Sequence, residues 1–260
     1  MTSPFIYVIV GLLGLSIGSF LNVLMYRLPR RQRVSGRSVC PHCQNQLKWY
    51  HNIPLLSYVF LRGQCAFCGK RISFRYPVVE LFNALLYLYF WWQFGLHPDF
   101  FVFCFVSSAL LTVFVIDLDF RIIPDLITLP GIVIGLAVSL LPGGIGILTS
   151  SVGLLVGGGS LYLIALLGDW LFKKESMGGG DIKLAAMLGA FLGWQKVLFV
   201  FISSAAIGLV VSMILMLFSS SLRRHRVIPF GPFLAVAAML AIVCGDQIIN
   251  YYLLHVAFIK

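Results

Sequence analysis

Long apolar runs, separated by short polar or basic segments, make up most of this 260-residue sequence. A run of about twenty apolar residues is long enough to cross a bilayer as a helix. The pattern predicts an all-α, polytopic membrane protein with about eight transmembrane helices, of which the sixth is short. The eight runs cover residues 4–26, 77–96, 99–116, 126–142, 146–168, 182–195, 197–218 and 228–256.

The overall composition agrees with this pattern. Hydrophobic residues make up 60% of the chain, charged residues make up 11%, and the mean hydropathy is +0.96, which excludes a soluble globular protein. No lysine or arginine precedes the first run, and no small-residue cleavage site follows it. We therefore expect the first run to remain as a helix and not to be removed as a signal peptide.

The distribution of basic residues predicts the topology. Ten of the nineteen Lys and Arg residues lie between Arg27 and Arg75, and no acid precedes Glu80. Because positively charged loops stay in the cytoplasm, this segment is expected there, with the N-terminus outside. With eight spans, Asp117 and Asp181 also reach the cytoplasmic surface. The same count places the later basic residues there as well, namely Arg121, Lys173, Lys174 and Arg223–Arg226, with Lys196 and Lys260 on the far side.

The net charge of +10 is therefore explained by membrane topology. A basic cytoplasmic segment has the right sign to lie against anionic lipid headgroups. We expect membrane lipid as a partner and no nucleic acid.

Four cysteines in the basic segment are spaced like the ligands of a structural zinc site. They form two C-x-x-C pairs separated by 21 residues, Cys40 with Cys43 and Cys65 with Cys68. Two disulfides or free thiols are the alternatives, and a reducing cytoplasm argues against disulfides. Four protein ligands leave no position for a catalytic water, so the predicted zinc is structural. A segment of about fifty residues cannot bury much hydrophobic core, so a structural metal is the expected way to stabilise it.

Two acidic clusters stand at the ends of apolar runs. Asp117, Asp119 and Asp125 follow the third run, and Asp181 follows a run of three glycines, Gly178–Gly180. Only nine acids occur in the chain, and an acid at the edge of hydrocarbon is costly enough to indicate a functional site. A flexible loop with Asp181 as a helix N-cap is the structural alternative.

Helical spacing separates the acids of the first cluster. Asp119 lies two residues after Asp117 and points to another face, so only one of them is expected to meet a given partner. Asp125 sits where a helix restarts, so capping or solvation explains Asp119 and Asp125 as well as function does.

Three features near the first two runs have structural interpretations. The Gly14-x-x-x-Gly18 spacing favours close packing of two helices. Asn22 is expected to bond either a neighbouring helix or a ligand. Glu80 is expected in the first turn of the second long helix, where it would complement the helix dipole.

Together these motifs resemble the type IV prepilin peptidases, membrane aspartic proteases of the G-x-G-D type. The resemblance covers nearly the whole chain. It rests on five motifs in order: residues 18–29, the two C-x-x-C pairs, residues 117–125, Gly178–Asp181 and residues 229–233.

The resemblance implies a multi-pass protein of the bacterial cytoplasmic (inner) membrane. It implies Asp117 and Asp181 as catalytic residues, with Gly178, Gly180, Asp119 and Asp125 close to the substrate. The implied reaction removes the basic leader of a type IV prepilin or a type II secretion pseudopilin after a glycine. For members with the cysteine-bearing domain it also implies N-methylation of the new terminal residue by S-adenosylmethionine. No contact residues for this methyl donor are evident in the sequence.

We therefore expect three domains. Residues 1–26 form the first transmembrane helix, residues 27–76 a cytoplasmic zinc-binding domain associated with methyl transfer, and residues 77–260 the membrane-embedded peptidase.

The chemistry of two acids supports this interpretation. Two carboxylates brought close together cannot both ionise, so one acts as an acid while the other activates water. An ion-coupled transporter using Asp117 and Asp181 is an alternative, but it predicts a midplane site between inverted repeats, and no repeat is visible. A zinc-stabilised scaffold without activity would leave both acidic motifs unexplained.

Overall fold

The computed structural model describes residues 4–174, 177–218 and 229–255, and this part of the chain is almost entirely helical. The chain divides into two compact units at Thr112. The helices are α1 (Pro4–Arg27), a short 3-10 turn (Trp49–Asn52), α2 (Leu56–Phe60), α3 (Arg75–Phe94), α4 (Pro98–Phe120), α5 (Asp125–Val138), α6 (Ile147–Phe172), α7 (Gly179–Phe218) and α8 (Gly231–His255).

Five of these helices, α1, α4, α6, α7 and α8, are long and apolar enough to cross a membrane. A multi-pass, mainly helical membrane protein is thereby confirmed, whereas the count of eight spans is not. The difference has local causes. The helix α5 has only 14 residues. The helix α3 has 20 residues, which is long enough, but it is less apolar than the other five. The sixth and seventh predicted runs both lie in α7, where the non-helical backbone of Gly193 (φ 78°, ψ 171°) separates two helical segments.

In the first unit, α1 packs against α3 through two glycines. A Cβ atom on Gly14 would lie 2.7 Å from the Cα of Ala84, and one on Gly18 would lie 2.7 Å from the Cα of Glu80. No side chain fits at that separation, so the predicted close packing of Gly14 and Gly18 is confirmed.

Buried polar side chains reinforce this helix pair. The amide nitrogen of Asn22 donates to the carbonyl oxygen of Tyr76 at 3.1 Å, so its partner is the neighbouring helix. The amide nitrogen of Asn83 donates to the carbonyl oxygen of Gly14 at 2.8 Å, and its amide oxygen accepts from the Ser108 hydroxyl at 2.9 Å. Such bonds are needed because an unpaired buried polar group is costly.

Glu80 differs from its prediction. Helix α3 begins at Arg75, so Glu80 lies beyond the first turn. Its carboxylate is buried and accepts hydrogen bonds from the backbone N–H of Leu55 at 2.9 Å and from the side chain of Ser19. The residue therefore ties the loop before α2 to α1, instead of complementing the α3 dipole.

In the second unit, α7 is the central helix, and α5, α6 and α8 all pack against it. Glycines on α6 allow the closest approach: a Cβ on Gly153 or Gly157 would clash with the backbone carbonyl oxygen of Gly189 or Ala185. Leu184, Met187 and Leu188 of α7 are fully buried. The N-terminal end of α7, which carries Asp181, is therefore held by helices on several sides.

Candidate active site and metal centre

Asp117 lies in the last turn of α4 and is buried, with 5% of its surface exposed. Helix α4 ends at Phe120, because Arg121 adopts a left-handed conformation (φ 55°) while its N–H bonds the carbonyl oxygen of Asp117 at 2.9 Å. Asp119 is exposed on another face. As the helical spacing predicted, only one of the two acids faces the interior of the unit.

Asp181 lies in the first turn of α7, where its N–H bonds the carbonyl oxygen of Gly178 at 3.1 Å. Its Oδ1 atom is buried, and no protein group within the described residues forms a hydrogen bond to it. The carboxyl group lies close enough to Asp117 for the two charges to repel each other. The fold therefore brings together the two acids that the sequence singled out.

Gly231 is a third component of this site, and we did not predict a role for it. It is the first residue of α8, and its backbone N–H donates a hydrogen bond to the Asp117 carboxylate. A Cβ atom at Gly231 would lie 2.6 Å from Oδ2 of Asp117. The signal available in the sequence was a glycine placed between Pro229 and Pro232 at the start of an apolar run.

The glycines before Asp181 have different surroundings. A Cβ on Gly180 would lie 2.9 Å from the Cβ of Ile123, so this glycine lets the segment after α4 approach α7. Gly179 has nothing within 4 Å of its Cβ position, and Gly178 would meet only Oδ2 of Asp181, at 3.4 Å. The backbone beside Asp181 is therefore open on the side of these two residues.

Asp125 is exposed and forms an ion pair with Lys183, which lies two residues after Asp181 on α7. The Nζ of Lys183 lies 2.7 Å from Oδ1 and 2.8 Å from Oδ2 of Asp125. This ion pair joins the first turn of α5 to the first turns of α7. Much of the charge of Asp125 is thus compensated within the protein.

The four cysteines of the basic segment form one cluster. The sulfurs of Cys40, Cys43, Cys65 and Cys68 all lie within 4.8 Å of one another. The Sγ atoms of Cys40 and Cys68 are 3.9 Å apart, close to the ~3.8 Å between thiolates on a tetrahedral zinc with ~2.3 Å bonds. The donor set and its spacing therefore fit zinc.

Each C-x-x-C pair lies in a similar tight loop. Isolated antiparallel bridges close the loops, Val39 with Gln46 and Gln64 with Arg71. The residue after each second cysteine is left-handed, Gln44 at φ 58° in one loop and Gly69 at φ 68° in the other. This local repeat turns the four sulfurs toward a common point.

Hydrogen bonds around the cluster favour a thiolate at Cys40. Burial acts to raise the pKa of the Cys40 thiol, but backbone N–H groups of Cys43 and His42 and the neighbouring thiols outweigh it and lower the pKa to about 7. For Cys43, the Asn45 backbone acts to lower the pKa, but burial and the other thiols raise it to about 11. A cation that displaces the thiol protons would be held by all four sulfurs.

Two family models match successive parts of the chain. The bacterial peptidase A24 N-terminal domain matches residues 12–94, and the type IV leader peptidase family matches residues 104–213. The chain belongs to the type IV leader peptidase family. Its assignment as an enzyme of the peptidase and N-methyltransferase class is thereby confirmed.

Individual relatives match along nearly their full length. The prepilin leader peptidase/N-methyltransferase of Stutzerimonas stutzeri is 36% identical, covering 97% of this chain and 96% of the relative. The protein of the same name from Pseudomonas aeruginosa is 36% identical, covering 95% and 93%. That of Legionella pneumophila is 34% identical, covering 96% and 95%. No solved structure matches the chain.

Proposed function

We propose that this protein removes the basic leader of a type IV prepilin or type II secretion pseudopilin after a glycine, and then N-methylates the new terminal residue. The observation that carries the peptidase half is that the Asp117 and Asp181 carboxyl groups lie close enough for their charges to interact. The name of these relatives, prepilin leader peptidase/N-methyltransferase, supports both halves.

In the proposed cleavage, the two carboxyl groups share one proton, because this removes their mutual repulsion. The ionised carboxylate takes a proton from a water molecule, whose oxygen attacks the scissile carbonyl. The protonated carboxyl group donates its proton toward the reacting peptide, and the C–N bond then breaks to release a free amine.

The surroundings of the two acids support these roles. The Gly231 N–H at the start of α8 directs a hydrogen bond and the positive end of a helix dipole at Asp117, and such a donor interacts more strongly with a carboxylate than with a neutral carboxyl group. Oδ1 of Asp181 has no protein partner among the described residues, so it is available to carry and donate the shared proton. The open backbone at Gly178 and Gly179 leaves room for an extended substrate beside Asp181.

The second proposed reaction forms a bond between the new N-terminal nitrogen and a methyl carbon. S-adenosylmethionine supplies this methyl group when bound, and its carbon–sulfur bond breaks with the electron pair remaining on sulfur. The amine must first lose its extra proton to solvent, since only the lone pair of a neutral amine can attack.

We assign the two reactions to different parts of the chain. Residues 27–76 form the zinc-binding domain associated with methylation, residues 1–26 are its membrane helix, and residues 77–260 carry the peptidase. Cys40, Cys43, Cys65 and Cys68 would hold a structural zinc, which would stabilise this small domain and would take no part in hydrolysis.

The proposed location is the bacterial cytoplasmic (inner) membrane, with both acids at its cytoplasmic face. The ten basic residues between Arg27 and Arg75 support this orientation. The basic residues Arg223–Arg226, predicted on the same side, lie outside the described residues, as does Lys260.

The test is incubation of the purified protein with a prepilin and S-adenosylmethionine, followed by mass spectrometry of the product. The expected product lacks the leader up to a glycine and is about 14 Da heavier than the unmodified mature form, the mass of one added CH₂ group. An unchanged prepilin, in a preparation whose folding is verified, would overturn the proposed peptidase function.

A further inference from the structure

A cavity of about 620 Å³ lies in the first unit, between the C-terminal half of α1 and the cysteine-bearing segment. Ser16, Ser19, Phe20 and Val23 form its α1 side. The opposite side comes from two loops, with Val34 and residues 36–38 in the first and residues 47–50, Asn52 and Pro54 in the second. Its volume lies within the ~300–1,000 Å³ typical of sites for small organic ligands.

One side of this cavity is held by Arg27. Its guanidinium donates to the carbonyl oxygens of Val34 at 2.8 Å, Ser35 at 3.0 Å and Arg37 at 3.0 Å, with longer bonds to Arg33 and Gly36. A single half-buried side chain thus fixes five consecutive residues, whose backbone has no regular secondary structure of its own. The loop is ordered around a cation and not by a hydrophobic core.

The α1 side of the cavity and the loop at residues 47–54 are held in place as well. Buried Glu80 accepts bonds from Ser19 and from the N–H of Leu55, which directly follows Pro54. The amide of Asn52 donates to the Ser38 hydroxyl at 3.1 Å, joining the two loops. Ser19, Ser38, Asn52 and Pro54 all line the cavity. The site is therefore built before any ligand binds.

The side chains that reach the cavity have a particular chemistry. Trp49 is 80% exposed although it is the largest side chain of its segment, and Tyr50 lies beside it with the ring planes at 88°. Exposed aromatic faces of this kind suit a flat heterocycle, because stacking on a base contributes binding energy. Arg37 and Lys48 add two cations suited to a carboxylate.

We propose that this cavity binds the adenosyl methyl donor, with Trp49 and Tyr50 contacting the adenine and with Arg37 and Lys48 contacting the amino-acid carboxylate. The proposal rests on the N-methyltransferase activity proposed above and assigns its donor site. All lining residues belong to the first unit, whereas Asp117 and Asp181 belong to the second.

An aromatic ladder connects this cavity to the cysteine cluster. The ring of His51 lies 4.5 Å from that of Tyr50 and 5.5 Å from that of Phe67, measured between centroids. Phe67 lies inside the second C-x-x-C pair, and its N–H reaches the sulfur of Cys65 at 3.5 Å. The position of Tyr50 in the cavity wall therefore depends on the order of the cysteine loops.

The test measures binding of S-adenosylhomocysteine by calorimetry to the whole protein in nanodiscs of neutral lipid, independently of any turnover. Trp49→Ala is expected to weaken binding by about ten-fold or more, and Arg37→Gln by about ten-fold. Trp49→Phe, which keeps an aromatic face, should recover most of the loss.

Two matched controls lie on the same segment outside the cavity lining. Phe60 is also 80% exposed, so Phe60→Ala removes an equally exposed aromatic ring, and Arg31→Gln removes an exposed arginine. Both variants should bind like the wild type. Ultraviolet crosslinking of labelled S-adenosylmethionine, followed by peptide mapping, should mark residues 34–54.

The outcomes separate the two proposals. If the wild type binds the probe and the Trp49 and Arg37 variants bind equally well, the cavity assignment is wrong while the methyltransferase proposal stands. The cavity assignment is also wrong if the crosslinks are confined to other peptides, or if anionic lipid alone abolishes binding by occupying the cavity. A wild type that neither binds the probe nor methylates a cleaved substrate would refute the methyltransferase proposal itself.

Discussion

The backbone N–H of Gly231 donates a hydrogen bond to the carboxylate of Asp117, and no side chain at position 231 would fit between them. The helix start that orients the acid therefore requires glycine for steric reasons. This relationship joins two motifs far apart in the sequence, one at the end of α4 and one at the start of α8.

Gly231→Ala should lower leader cleavage by about 100-fold, because displacing a catalytic group by about 1 Å costs that much. The matched control is Gly245→Ala on the same helix, where a Cβ would lie 3.6 Å from the Cβ of Ala241, an ordinary contact. Initial rates of cleavage by both variants at equal protein concentration test this. Wild-type cleavage by Gly231→Ala would show that the contact with Asp117 is unimportant for the reaction.

Replacing either Asp117 or Asp181 with asparagine should lower cleavage by about 1,000-fold or more, because an amide supplies neither the proton nor the base. Folding should persist, since asparagine has nearly the same shape. Asp246→Asn, which removes the partner of Lys196 (2.8 Å), is the matched control and should retain activity. The measurement is mass spectrometry of the product, and full cleavage by Asp181→Asn would refute the assignment of the two acids.

The cysteine cluster should bind one zinc per chain. Cys40→Ser combined with Cys43→Ser should release the metal and disorder the segment between α1 and α3, since the four sulfurs join two otherwise separate loops. Cys244→Ser serves as the control, because that thiol lies on α8 and bonds the Leu240 carbonyl at 3.1 Å. Elemental analysis of protein purified without chelator is the measurement. A wild type without zinc would contradict the prediction.

The two activities should respond differently to two double variants. Cys40→Ser with Cys43→Ser should lower methylation more than cleavage, because the aromatic ladder from Phe67 through His51 to Tyr50 loses its anchor. Asp119→Asn with Asp125→Asn should do the reverse. Its effect should be milder than that of the Asp117 or Asp181 variants, because Asp125 is already paired with Lys183.

Separate assays with a prepilin and with an already cleaved pilin test this division. The difference in cleavage rate between the wild type and the Asp119 and Asp125 double variant should become smaller at high salt. Salt screens the attraction between a basic leader and these exposed acids in the wild type. Equal loss of both activities in both folded double variants would show that the division is wrong.

The sequence by itself determined the chemistry and the class of protein. The apolar runs predicted membrane helices, because a bilayer permits few other spanning structures. The two C-x-x-C pairs and the acids at Asp117 and Asp181 were recognisable because cysteines at that spacing and acids beside hydrocarbon are rare without a reason. The Gly14-x-x-x-Gly18 contact was equally visible as a spacing.

Only the tertiary structure decided how these parts meet. The break between the sixth and seventh runs falls at Gly193, whose non-helical backbone conformation hydropathy does not register. Glu80 bonds the N–H of Leu55 instead of complementing a helix end, and Gly231 reaches Asp117. Such pairings depend on which backbones distant in sequence approach one another, and local patterns do not identify the partner.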